Sequence, residues 1–270
     1  MSWSRSTTSA AVVLGALGAS ACGSSSTSSS SPSTGSGSSA TSTPDALNGG
    51  VTVLAAASLT EAFKDAKTKL EAAHSGLTLT YSFGGSQALV TQVQNGAPAD
   101  VIATADTATM QKLVDGGLVA APSTFVRNKL EMVVAPGNPK NVQGLADFAR
   151  TDLKVILEDP SVPAGKYGRQ ALAAQGVTAK PVSLPLDVKS ELLAVEQGNA
   201  DVGIVYVTDV SSAGSAVSGV TVPDSQNIVA KYPIAVVEAT KNHGAAQAFV
   251  DAVLHGAGQQ ALLARGFLAP

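Results

Sequence analysis

From residue 51 to the C-terminus, unbroken apolar runs alternate with segments whose apolar residues recur every three or four positions. Val51 to Ala56 is the first run and reads as a buried strand. Leu59, Ala62, Phe63, Ala66, Leu70 and Ala73 then follow helical spacing until Gly76. Leu77, Leu79, Tyr81 and Phe83 alternate with Thr78, Thr80 and Ser82, which predicts a half-buried strand ending at Gly84-Gly85. A short helix to Asn95-Gly96, a strand over Asp100 to Ala105, a helix to Gly116-Gly117 and a strand over Lys129 to Ala135 come next. The pattern then restarts. It predicts a helix at Leu145 to Ala149, strands at Lys154 to Leu157, Pro181 to Leu184 and Asp201 to Val207, and helices after Ala164 and from Val188. A strand at Val236-Val237 and one long closing helix, Gly244 to Leu263, complete it. Such alternation predicts an α/β fold in which mainly parallel sheets carry helices on both faces, as two units of about a hundred residues each.

At five places a strand-like run stops at a small or turn-forming residue and a helical pattern begins. These are Val51 to Glu61, Tyr81 to Ala88, Asp159 to Lys166, Leu184 to Lys189 and Val202 to Asp209. A helix start offers unpaired N–H groups and the positive end of the helix dipole, so several starts meeting in one cleft would solvate a small anion without Lys or Arg. In open α/β sheets ligands sit beyond the carboxyl ends of the strands, where these junctions fall. Each motif also has a plainer reading. Ser58-Leu-Thr-Glu61 has the form of a capping box, Gly84-Gly85-Ser86 of a tight turn, Pro163-Ala-Gly165 of a helix start with Pro early, and Asp187 of a cap for the helix from Val188. Tyr206 ends an apolar run, and its hydroxyl needs a partner if buried.

The N-terminus has a separate logic. Arg5, the apolar stretch Ala10 to Ala21 and the small residues Ala19-Ser20-Ala21 form a signal peptide over residues 1–21, too short to span a bilayer. Cys22 is the only cysteine and follows those small residues directly, resembling a lipobox, although Ala19 stands where such signals prefer Leu. That resemblance implies a lipid on Cys22 and an exported protein anchored on the outer face of the cell membrane; the alternative is plain cleavage and secretion. Residues 22–49 beyond it are almost entirely Ser, Thr, Gly, Ala and Pro, which cannot repay ordering and predict a disordered tether with a reach of roughly 30 Å. The chain has 17 basic and 20 acidic residues, a net charge of −3. A mildly acidic body without a basic block argues against a nucleic-acid partner.

The runs Ala55 to Phe63, Phe83 to Leu89, Gly96 to Val101, Asp159 to Gly165 and Gly203 to Asp209 resemble, in order, the molybdate-binding proteins of ABC importers. The resemblance extends from Val51 to Gly266-Phe267. It implies the two-lobed type II periplasmic-binding-protein fold with the ligand in the interlobe cleft, residues 50–128 and 231–270 forming lobe 1 and residues 129–230 lobe 2. It also implies that Ser58 and Ser86 donate through hydroxyl and backbone, Ala164 and Val188 through backbone amides, and Tyr206 through its hydroxyl. The expected ligand is molybdate or tungstate, bound as an oxyanion with no cofactor and no cation-binding site. The expected partners are a permease and an ATPase on other chains, and a monomer is expected. None of those five positions supplies a carboxylate acceptor, which disfavours an oxyanion that carries a proton, such as phosphate.

The competing readings are a receptor for sulfate or thiosulfate, a serine hydrolase using Ser58 or Ser86, and an adhesin. Neither serine lies in G-x-S-x-G. His74, His243 and His255 each sit beside a glycine or a helix end and read as solvated or capping residues, and no His or Cys pair has metal-ligand spacing.

Overall fold

The structure, a computed structural model, describes residues 47–270. The expected signal peptide, the Cys22 lipidation site and nearly all of the tether lie outside the described residues. The tether's last residues already belong to the body, where Leu47 is buried and Gly49 opens the first strand.

β1 (Gly49–Ala56) leads through a 3-10 turn, Ala57–Leu59, into α1 (Thr60–Ala73). β2 (Leu77–Gly84) leads into α2 (Ser86–Gln94), and β3 (Val101–Ala103) precedes α3 (Thr107–Asp115). β4 (Ser123–Asn128) and β5 (Leu130–Val134) follow with one residue between them, then a 3-10 turn at Leu145–Ala149, α4 (Pro163–Ala174) and α5 (Val188–Glu196). β6 (Val202–Tyr206), α6 (Val207–Ala213), β7 (Ser218–Thr221), β8 (Ala230–Val236), α7 (His243–His255) and α8 (Ala257–Ala264) complete the chain.

Two sheets result. The first has the order β2-β1-β3-β8-β4, with β1 parallel to β2 and β3, and β8 antiparallel to both its neighbours. The second has the order β6-β5-β7 with antiparallel pairs, and is extended by parallel bridges from Val155 to Val202 and from Ile156 to Ser183. The mixed α/β class is the one the alternation predicts, and the parallel pairing is confined to β1 with its neighbours and to those bridges. β4 closes the first sheet at Asn128 and β5 opens the second at Leu130, while β7 belongs to the second and β8 to the first. The chain therefore passes between the sheets twice.

β2 shows why its sequence alternates. Leu77 and Leu79 are buried and Thr78 and Thr80 exposed, because β2 is an edge strand of the first sheet. Three departures from the sequence reading have local causes. The segments around Val155 and Ser183 form single bridges and not strands; Val182 and Leu184 are 62% and 46% exposed, so that segment lacks a second neighbour to extend the ladder. The closing helix is two helices, because Gly256 at φ −109° and ψ −147° leaves helical geometry. That break turns α8 so that Arg265, just past its end, reaches Asp65 of α1 at 2.6 Å. β4 and β7 were not predicted, since neither carries a long periodic run.

Candidate functional site

The starts of the Ala57–Leu59 turn, α2, α4 and α5 line one cavity, together with the end of β6. Ala57, Ser58, Gly84, Gly85 and Ser86 border it from the first sheet's segments; Glu158, Pro163, Ala164, Asp187, Val188 and Tyr206 border it from the second's. The structure brings all five sequence-selected positions, Ser58, Ser86, Ala164, Val188 and Tyr206, to this cavity, and all five are buried. The cavity is small, about 20 Å³, against roughly 10–15 Å³ for one water. That is the scale of a small ion.

Each position is set by its local chain. Ser86 opens α2 behind Gly85, which sits at φ −63°; its hydroxyl oxygen accepts from the Ala105 amide at 3.0 Å, which leaves the hydroxyl hydrogen free to point inward. Pro163 starts α4, so Ala164 and Gly165 present first-turn amides that have no partner inside their own helix. Asp187 caps α5, accepting from the Ser190 amide and hydroxyl, both at 2.9 Å, as its sequence predicts. Ser58 is a correction. It caps nothing, because Leu59 precedes α1 with no side-chain cap and Glu61 pairs with Lys64. Its hydroxyl is instead 2.9 Å from the Tyr232 hydroxyl, which engages it away from the helix start. Tyr232 in turn meets Tyr206 edge to face at 5.7 Å between ring centroids.

The Tyr206 hydroxyl is buried and has no protein partner. Burial first, and then the nearby Tyr232, hold it protonated well above the ordinary tyrosine range, so it remains a donor throughout the physiological range. Neither Lys, Arg nor His is among the lining residues. Lys166 pairs at 3.4 Å with Asp106, the cap of α3, and Arg169 donates to the backbone carbonyl of Glu158. What the cavity offers is hydrogen-bond donors, mostly backbone, in a buried setting suited to solvating an anion by direct contact.

The sequence reading missed Glu158. Its side chain is fully buried, both carboxylate oxygens lack partners, and it borders the cavity. Its signal was an acid closing the apolar run Val155-Ile156-Leu157, a place where a buried charge is costly. Two further acids lie behind it. Glu191 accepts from the Ile204 amide at 2.6 Å, and Asp209 pairs with Lys189 at 3.1 Å. Burial pushes Glu191 up from 4.5 to about 8 and raises Asp209 as well. The protein therefore takes up protons on folding at neutral pH. The stability Glu191 contributes is complete below about pH 4.5 and is lost as pH rises toward about 8. The melting temperature should accordingly fall across that window in calorimetric scans. Glu191→Gln should flatten the fall and raise the midpoint at the alkaline end by several degrees, at about 2–4 °C for each kcal/mol in a domain of this size.

Among the described residues no cluster of His, Cys, Asp and Glu is placed to hold a metal ion, and no helix is long and apolar enough to cross a membrane. His74 ends α1 as its cap residue, and His243 and His255 are the two ends of α7; none borders the cavity.

A sequence profile of the bacterial extracellular solute-binding proteins matches residues 51–268. The molybdate-binding protein ModA of Mycobacterium tuberculosis is 39% identical over 82% of this chain and 85% of its own. Among solved structures, the periplasmic molybdate-binding protein of Azotobacter vinelandii superposes with a TM-score of 0.71 at 20% identity, covering 82% of this chain and 99% of that one. The sulfate-binding protein SubI of M. tuberculosis gives 0.72 at 23% identity, covering 81% and 86%. At those identities the two structures share the fold with this chain, and nothing about cargo follows from them.

Proposed function

Since this chain belongs to the bacterial extracellular solute-binding proteins and, within them, to the molybdate-binding proteins, it is a molybdate receptor of an ABC importer, and we propose that it holds the anion in the cavity described above. In this reading the hydroxyls and amides of Ser58 and Ser86, the amides of Ala164 and Val188, and the hydroxyl of Tyr206 surround the anion. The observation that carries it is the convergence of four helix or turn starts and one partnerless buried hydroxyl on a cavity without a cation among its lining residues. Such a site repays the desolvation of a dianion only when nearly every oxygen finds a donor. Molybdate and sulfate share charge and shape, so their discrimination falls to cavity size, and tungstate, close to molybdate in size, binds as well.

We assign two lobes, residues 50–128 with 231–270 and residues 129–230, and the presence of two sheets supports that division. The crossings at Asn128–Leu130 and before Ala230 act as the hinge, and the cavity between the lobes closes on the ligand. The permease and ATPase are separate chains. The Cys22 lipid and the Ser/Thr/Gly tether keep the receptor, as a monomer, at the outer membrane face within reach of them.

Thermal unfolding of the purified protein tests this directly. Saturating molybdate at a thousand times Kd adds about 4.1 kcal/mol to stability, which in a domain of this size is roughly 8–16 °C. No shift with molybdate or tungstate would refute the reading.

A further inference from the structure

We propose that Glu158 is a sixth ligand-facing group, and that it meets the bound oxyanion as a neutral carboxylic acid whose hydroxyl donates a hydrogen bond to one of the anion's oxygens. The inference deepens the receptor reading and rests on it. It starts from the two carboxyl oxygens of Glu158, which are buried and partnerless at the wall of a cavity that otherwise presents donors. Asp187, the other acid on that wall, is different, because its oxygens are already engaged by Ser190. A buried polar group left without a partner costs about 1–3 kcal/mol, and a ligand oxygen would relieve that cost.

The protonation state follows from what surrounds the side chain. Glu191 and Asp187 face it from α5 and Asp209 from α6, all acids whose charge opposes its ionisation. The cations of the same region are committed elsewhere: Arg169 of α4 donates to the backbone carbonyls of Glu158 and Gly165, and Lys189 pairs with Asp209. Tyr206 of β6 faces the same cavity with a neutral hydroxyl. Burial first, then Glu191 and Asp209, hold the Glu158 carboxyl protonated well above the usual carboxylate range, with the Gly165 amide, which lies near it but outside hydrogen-bond geometry, pulling the other way. A dianion arriving beside it opposes ionisation further. A neutral acid therefore lets an acidic residue serve a dianion, and it favours the fully ionised ligand. An ionised Glu158 would do the reverse, accepting the proton of hydrogen phosphate and repelling molybdate.

Infrared difference spectroscopy of the purified protein at neutral pH, with molybdate minus without, tests the proposal. The expected result is a shift to lower frequency of a protonated-carboxyl carbonyl band, absent from Glu158→Gln. In parallel titrations Glu158→Ala should bind molybdate about 10-fold more weakly than Glu158→Gln, which keeps a donor at the same place. As pH rises through the Glu158 transition the wild-type affinity should decline, and that of Glu158→Gln should lack the decline. The proposal is overturned if the difference band persists in the Gln variant, if only ionised-carboxylate bands change, or if the Ala and Gln variants bind equally. Phosphate binding in preference to molybdate would likewise overturn it. A wild-type protein that binds molybdate without any Glu158 band defeats this inference alone, whereas a wild-type protein that binds no molybdate defeats the receptor reading beneath it.

Discussion

Gly85→Ala should weaken molybdate binding by about 5- to 100-fold while leaving the ligand-free protein close to its original stability. Gly85 has an ordinary φ of −63°, so alanine brings no backbone strain. The obstacle is a direct neighbour, since an added Cβ would overlap the carbonyl oxygen of Leu186. That same carbonyl accepts from the Gln87 side chain at 3.1 Å, which marks it as a point of contact between the segments of the two sheets. Relieving such an overlap costs about 1–3 kcal/mol, and each 1.4 kcal/mol is about tenfold in affinity. In the two-lobed reading proposed above, the penalty falls only on the closed form, because opening the proposed hinge would separate Gly85 from Leu186. Titration calorimetry with molybdate, paired with a thermal melt of the free protein, separates the two effects. A large loss of melting temperature without ligand would show that Gly85 serves folding and not closure.

Tyr206→Phe should cost about 10- to 100-fold in molybdate affinity, since a hydrogen bond to a charged acceptor is worth about 1.5–3 kcal/mol. The ring is fully buried and packs against Tyr232, and phenylalanine keeps that packing. The hydroxyl has no protein partner to lose, so the free protein should be unchanged or slightly stabilised. This combination distinguishes a ligand-facing hydroxyl from a structural one, whose removal would lower the melting temperature and spare the affinity.

Much of this site was legible in the sequence, because strand-to-helix junctions announce themselves locally. Pro163 before Ala164, Asp187 before Val188 and the glycines before Ser86 each declare a helix start within four residues, and the structure places all of them at one cavity. Tyr206 was legible as the polar tip of an apolar run. Ser58 borders the cavity, and its plainer reading as a capping residue fails. The capping box it spells is not formed, because its hydroxyl goes to Tyr232, a residue 174 positions away. Glu158 was missed because a lone acid after an apolar run says nothing about which side of the strand it will occupy. The same limit applies to the elements that escaped prediction. β4 and β7 are short and take their identity from partners distant in sequence, Ala230–Ile234 for β4 and Glu131–Val134 for β7. The break at Gly256 is a local departure from helical geometry, but the contact it allows, Arg265 with Asp65, joins residues far apart in sequence.

The measurement that bears most directly on the central claim is isothermal titration of the purified protein, at neutral pH, with molybdate, tungstate, sulfate and phosphate in separate runs. The account predicts tight one-to-one binding of molybdate and tungstate and far weaker or no binding of the other two. Sulfate binding as tight as molybdate would contradict selection by cavity size, and heat from none of the four would contradict the receptor itself.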